Sequence, residues 1–150
     1  MVLGFERDAI IKKFSNYDNE KLKIVINSDY NNGMSSSIHA GLEKININSN
    51  AIMISLGDQP FIEYEVIDLL IDCYNYGQKG IVVPLSDKEI RGHPVIISLK
   101  YYDSLKIMQG DIGARKIIEN NCEDICFLKI NTDKITADTD NLEDYDKYTN

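Results

Sequence analysis

Apolar residues along the chain come in short dense runs separated by stretches of helical spacing. Residues 22–27, 51–56 and 81–84 are apolar runs too short for helices, whereas residues 66–74 place apolar side chains on one helical face. This alternation predicts an α/β architecture in which crossover helices connect strands of one sheet. The three runs are apolar at successive positions rather than at alternate ones, as expected of strands covered by helices on both faces. The sheet is therefore predicted to be mostly parallel. Between Pro84 and Val95 the segment Leu85-Ser86-Asp87-Lys88-Glu89-Ile90-Arg91-Gly92 is too short and polar for a crossover helix. It suits a hairpin loop and predicts one antiparallel excursion. Further helices are expected over residues 6–14, 35–44, 113–121 and 142–148, the last preceded by a short strand at Ala137. Met1-Val2-Leu3-Gly4 reads as the end of a parallel strand feeding the first helix, and such a strand calls for earlier neighbours. No repeat or linker divides residues 1–150, so one domain is expected.

With 150 residues and 43% hydrophobic content, the chain can build a core without disulfide or metal staples. Sixteen Lys and Arg against twenty-four Asp and Glu give a net charge of −8. That field repels a phosphate backbone, which argues against DNA or RNA as a partner. A small anionic substrate stays compatible with it where a metal ion, a helix N-terminus or a local Arg reverses the sign. The N-terminus has no basic, apolar leader, and no window approaches a membrane span, so the reading is cytoplasmic with no membrane partner. Cys73, Cys122 and Cys126 lack the spacing of a tetrahedral metal site and are read as reduced, mostly buried thiols.

Four segments carry candidate chemistry. Leu56-Gly57-Asp58-Gln59-Pro60 follows an apolar strand, where α/β sheets place their ligands. Asp58 is either a helix cap or a hard oxygen ligand for Mg²⁺ shared with substrate phosphates, and Gly57 would allow close backbone approach. Asn31-Asn32-Gly33-Met34-Ser35-Ser36-Ser37-Ile38 runs from a turn into a helix. Its N–H groups and hydroxyls either cap that helix or hold a nucleobase or an anion. Arg91-Gly92-His93-Pro94 and Gly110-Asp111-Ile112-Gly113-Ala114-Arg115 each combine glycine with a cation. Arg91 can chelate a phosphate and His93 can donate to one, while Asp111 alternatively caps the helix at 113–121. In Ala137-Asp138-Thr139-Asp140, the two carboxylates alternate on an extended segment, forming either a solvated acidic face or the completion of a metal site begun by Asp58.

Taken in order, Gly33-Met34-Ser35-Ser36-Ser37-Ile38-x-Ala40-Gly41-Leu42, Leu56-Gly57-Asp58-Gln59-Pro60, Arg91-Gly92-His93-Pro94-Val95, Gly110-Asp111-x-Gly113-Ala114-Arg115 and Asp138-x-Asp140-x-x-Glu143-Asp144-Tyr145 resemble the MobA-like nucleotidyltransferases, most of all the molybdopterin cytidylyltransferase branch. The resemblance implies a Rossmann-like, nucleotide-diphospho-sugar transferase-like fold with helices on both faces of the sheet. It also implies transfer of a nucleotidyl group, CMP from CTP, to a phosphorylated acceptor, the molybdenum-bearing pterin, with release of pyrophosphate. Asp58 and Asp140 would be the catalytic Mg²⁺ ligands, Mn²⁺ being an alternative ion, with Asp138 beside them. Gly33, Ser35, Ser36 and Gly57 would face the nucleotide, and Arg91, Gly92, His93, Gly110 and Asp111 the acceptor. Where the family shows Asp-Thr-Pro-Glu-Asp, this chain has Asp140-Asn141-Leu142-Glu143-Asp144.

The family's opening strand and Gly-rich triphosphate loop have no counterpart before Gly33, which implies a domain lacking roughly its first third. A chain so truncated is expected to be a poor catalyst or none. The alternative to an enzyme is accordingly an inactive remnant or accessory subunit that binds a cofactor or a partner. An unpaired strand edge would favour self-association or a complementary N-terminal chain.

Overall fold

The computed structural model describes residues 1–14, 20–46, 48–111 and 113–149. In chain order the elements are β1 (Val2–Leu3), α1 (Arg7–Phe14), β2 (Val25–Ile26), α2 (Met34–Leu42), β3 (Ala51–Ile54), α3 (Tyr64–Tyr76), β4 (Ile81–Leu85), β5 (Val95–Ser98), α4 (Tyr102–Lys106), α5 (Arg115–Asn120), β6 (Ile125–Lys129) and α6 (Leu142–Thr149). They form two compact units: Met1–Ser49 with Tyr101–Asn120, and Asn50–Lys100 with Asn121–Asn150.

In the first unit β1 and β2 pair in parallel, Val2 opposite Val25 and Leu3 opposite Ile26. Helix α2 packs on β1 at Gly41, close to a Val2 methyl. Ile38 and Leu42, one helical turn apart, are buried on α2. Residues 22–24, expected as strand, lie outside the β2 ladder. Ile26 is 49% exposed, because β2 is an edge strand with one neighbour.

The second unit holds a four-stranded sheet of order β3-β5-β4-β6. β4 and β6 run parallel, and β5 runs antiparallel to both β3 and β4, so the predicted antiparallel excursion is present. Strand β4 is central, and Ile81, Val82 and Val83 are at most 1% exposed, matching its unbroken apolar run. β3 is only half buried because it lies at the sheet edge. On α3, Val66 and Leu70 join Val82, Ile96, Ile130 and Ile135 in the core. The β4–β5 connection closes as a polar hairpin loop: the Ser86 N–H donates to the Ile90 carbonyl (2.9 Å), and Leu85 bridges to Arg91. Helix α6 is tied to this unit by Phe61, whose ring lies 5.5 Å from that of Tyr145 and 5.1 Å from that of Tyr148.

Three expectations are corrected. Residues 137–140 form no strand; the chain passes through a 3₁₀ turn at Asp133–Thr136, capped by Thr132, and then runs irregularly into α6. Strand β6 and helix α4 were not anticipated: α4 has a single buried apolar anchor and so no period, while the apolar run Ile125-Cys126-Phe127-Leu128 of β6 was a strand signal left unread. Finally, Cys73 of α3 and Cys126 of β6 face each other, and Cys122 is exposed rather than buried. A partner 53 residues away is invisible to spacing arguments. Among the described residues no helix is long and apolar enough to cross a membrane.

Candidate functional site

In the second unit, three separated segments are stitched together by main-chain hydrogen bonds. The His93 N–H donates to the Ile135 carbonyl (2.9 Å), the Gly92 N–H to the Pro84 carbonyl (2.9 Å), and the Thr139 N–H to the Asp58 carbonyl (2.8 Å). Gly92 is buried against the Ile135 carbonyl so closely that no β-carbon fits. Asp58, His93 and Asp138, distant in sequence, are thereby gathered beyond the end of β3. Gln59 is 7% exposed and donates from Nε2 to Asp138 Oδ1 (2.7 Å).

Burial holds the His93 imidazole below the usual histidine range near 6.5, while the carboxylates of Asp138 and Asp58 pull weakly the other way. His93 is therefore neutral at pH 7 and can donate one N–H without carrying charge. Because its folded pKa is depressed, the unfolded chain binds the proton more readily. The stabilisation from keeping it neutral is complete above the ordinary histidine value and is lost as pH falls through the folded value. His93→Gln is expected to flatten the fall in stability between about pH 7.5 and about pH 5.5. Urea unfolding at the two pH values checks this; an unchanged slope assigns the acid sensitivity elsewhere.

Asp58, Asp138 and Asp140 are exposed hard-oxygen donors. Among the described residues no three His, Cys, Asp or Glu side chains are gathered into a metal cage. Two carboxylates are nonetheless the donor type an Mg²⁺-type ion takes from a protein when substrate phosphates and water complete its shell. Arg91 is placed with its guanidinium 5.3 Å from the centre of the Phe127 ring on β6. Gly57 has nothing within 4 Å of where a β-carbon would stand. Gly57→Ala should therefore leave stability within about 0.5 kcal/mol of the parent. Loss of nucleotide affinity in that variant, measured by equilibrium binding, would report a ligand in this open space.

The remaining predicted residues cluster in the first unit. Gly33 has φ +88° and stands as the residue before α2. The Met34 N–H donates to Asp111 Oδ1 (3.1 Å), the Ser35 N–H to the Gly110 carbonyl (3.2 Å), and the Ser36 N–H to the Gly33 carbonyl (3.1 Å). Asp111 thus caps α2, not the helix that follows it; Ile112 lies outside the described residues. The expected free N–H groups at this helix start are already engaged, which removes the anion cradle from that reading. What stays open is a cavity of about 820 Å³ lined by residues including Asn27, Asp29, Ser36, His39, Lys106 and Gln109.

Sequence reasoning missed Gln59, Thr139 and Asn27. The buried Asn27 donates to the Ser36 and Ser37 hydroxyls (2.8 and 3.1 Å) and accepts from the Asp29 N–H (2.9 Å). Its position just after β2 and before a turn was the available signal. Gln59 and Thr139 gave none, since a polar residue beside a carboxylate reads as solvated.

Residues 4–125 match the family model of the MobA-like NTP transferase domain. Nicotine blue oxidoreductase of Paenarthrobacter nicotinovorans is 25% identical over 148 residues, 95% of this chain and 71% of that protein. Among solved structures, the homologue of Mycobacterium tuberculosis Rv0371c from Mycobacterium sp. strain JC1 superposes with a TM-score of 0.80 at 26% identity, covering 97% of this chain and 70% of that one. Rv0371c from Mycobacterium tuberculosis H37Rv, in complex with manganese, gives 0.80 at 21% identity, covering 97% and 74%. The family match spans the Gly33, Asp58, Arg91 and Asp111 motifs, and the chain belongs to the MobA-like NTP transferases, a family of nucleotidyltransferases.

Proposed function

We propose that the chain transfers a cytidylyl group from CTP to a phosphorylated acceptor, a molybdenum-bearing pterin, and releases pyrophosphate. The observation that carries this reading is the joining of the Gly57-Asp58-Gln59 turn to Asp138-Thr139, which sets carboxylates beside a neutral histidine. An acceptor phosphate oxygen attacks the α-phosphorus, the bond to the leaving pyrophosphate breaks, and no covalent protein intermediate forms. Asp58, with Asp140 or Asp138, would hold Mg²⁺ or Mn²⁺, the latter being the ion in the complex of Rv0371c. When bound, such an ion neutralises charge developing on the transferred phosphate. Neutral His93 donates a hydrogen bond to a phosphate oxygen and Arg91 serves the acceptor side, while Gly92, assigned there by resemblance, is buried and braces the turn through its N–H to Pro84. Gly33, Ser35 and Ser36 are assigned to the base and ribose by the family resemblance, and within the first unit Ser35 and Ser36 line the open cavity. Gly110 and Asp111, assigned by resemblance to the acceptor, act here by bracing that segment.

The test is acceptor-dependent pyrophosphate release with Mg²⁺ or Mn²⁺, CTP against GTP. The expected result is at least about tenfold faster release with CTP, a difference of about 1.4 kcal/mol in the barrier. Equal rates, or a GTP preference, would move the assignment to another nucleotide. Release with neither would favour the alternative, an inactive remnant or accessory subunit that binds a cofactor or a partner. Because one relative is named an oxidoreductase, the same preparation is assayed with a reduced nicotinamide and an electron-accepting dye. Turnover there without pyrophosphate release would replace the proposal.

A further inference from the structure

Gln59 is the most unusual polar residue of the second unit. It is 7% exposed, and its Oε1 is a buried acceptor with no hydrogen-bond partner among the described residues. A buried amide normally satisfies both ends, because an unpaired acceptor loses its hydration without compensation. Leu or Met would fill the same volume without that penalty. The end that is satisfied donates to one oxygen of an exposed carboxylate, Asp138 Oδ1, at 2.7 Å. A buried donor thus fixes the rotamer of a carboxylate that solvent would otherwise let rotate. Its neighbour along the chain, Asp58, is anchored to the same segment from the main chain, since the Asp58 carbonyl receives the Thr139 N–H at 2.8 Å.

Two adjacent residues of one turn therefore grip two adjacent residues of the last motif: Asp58 holds Thr139, and Gln59 holds Asp138. We infer that Gln59 is a positioning residue that leaves Asp138 Oδ2 aimed for a divalent cation, and that Asp138, rather than Asp140, is the partner of Asp58. A hydrogen bond to one oxygen leaves the other as a single directed ligand, which suits the strict octahedral geometry of Mg²⁺-type ions. This deepens the proposed transferase reading and rests on it for the presence of the ion.

The experiment measures Mn²⁺ binding to the full chain by the electron paramagnetic resonance signal of the free ion, without nucleotide and then with CTP. Gln59→Met keeps the buried volume and removes the donor. It is expected to weaken Mn²⁺ binding by about 10–100-fold, the usual loss when a ligand's orienting partner is removed. Asp138→Asn should weaken it at least as much, Asp140→Asn by less than about threefold, and Gln59→Met added to Asp138→Asn should change nothing further. Circular dichroism melts establish that each variant is folded. Should Gln59→Met unfold, Gln59→Leu, which removes the donor without adding charge, carries the same expectation. Parent-like Mn²⁺ affinity in the folded Gln59 variant overturns the inference, as does a loss that adds fully to that of Asp138→Asn or a larger loss in Asp140→Asn. In each of those cases the transferase reading is untouched, because the parent still binds the ion and its pyrophosphate release is scored separately. Absence of Mn²⁺ binding by the parent, with or without CTP, overturns both.

Discussion

On the proposed transferase reading, Asp58→Asn is expected to lower whatever nucleotidyl transfer the parent shows by at least about 10²–10³-fold, the usual consequence of removing one preorganised electrostatic contact from a developing phosphoryl charge. The substitution keeps size and shape but turns an anionic oxygen into an amide, so metal affinity falls while the main chain is undisturbed. The Asp58 side chain is exposed, and its fold-bearing contact is the carbonyl that accepts from Thr139, which Asn retains. Thermal midpoint should therefore stay within a few degrees of the parent, as expected for a surface substitution. Initial-rate measurement of pyrophosphate release at saturating Mn²⁺ checks the first part and a melt the second. Parent-like transfer by Asp58→Asn would mean that the carboxylate is only a turn residue.

Gly33→Ala carries the largest expected effect on stability. With φ +88° and ψ −179° the residue occupies a region open essentially to glycine alone, and an added β-carbon would stand 2.7 Å from the Gly110 carbonyl carbon and 2.8 Å from its oxygen. Backbone strain of about 1–3 kcal/mol is then joined by a steric conflict with backbone, which cannot rotate away. The expected loss is about 3 kcal/mol or more in urea unfolding. Gly110→Ala is the contrast: φ is +80° there too, but nothing lies within 4 Å of its β-carbon position. That variant should lose only about 1–2 kcal/mol, the penalty of the left-handed region itself. Equal losses in the two variants would show that conformation, not the approach of segment 110–111, dominates at Gly33.

Two of the elements plain in the sequence owe it to burial. β4 reads as a strand because every one of its residues from Ile81 to Val83 is hidden, and α3 reads as a helix because Val66 and Leu70 repeat on one face. β2 was overextended because Ile24 and Ile26, apolar yet 37% and 49% exposed, imitate a core strand at an edge. α4 buries Leu105 almost alone, and a single apolar anchor has no period to detect. At the site, Asp58, His93 and Asp138 were visible as chemical types in a telling order. The pairing of Gln59 with Asp138 was not, because it joins residues 79 apart through an amide that no pattern marks as buried. Asp111 was legible as a helix cap, but the helix it caps lies far upstream, and local spacing names only the nearer one.

The carboxylate of Asp111 against the first N–H of α2 amounts to an internal anion seated where a phosphate would otherwise dock. Inorganic phosphate, sulfate and nucleotide tails must displace a tethered competitor to reach that end, and a tethered group is present at high effective concentration regardless of dilution. A base or ribose placed there, as the proposed reading has it, would meet a helix start whose charge is already matched within the fold.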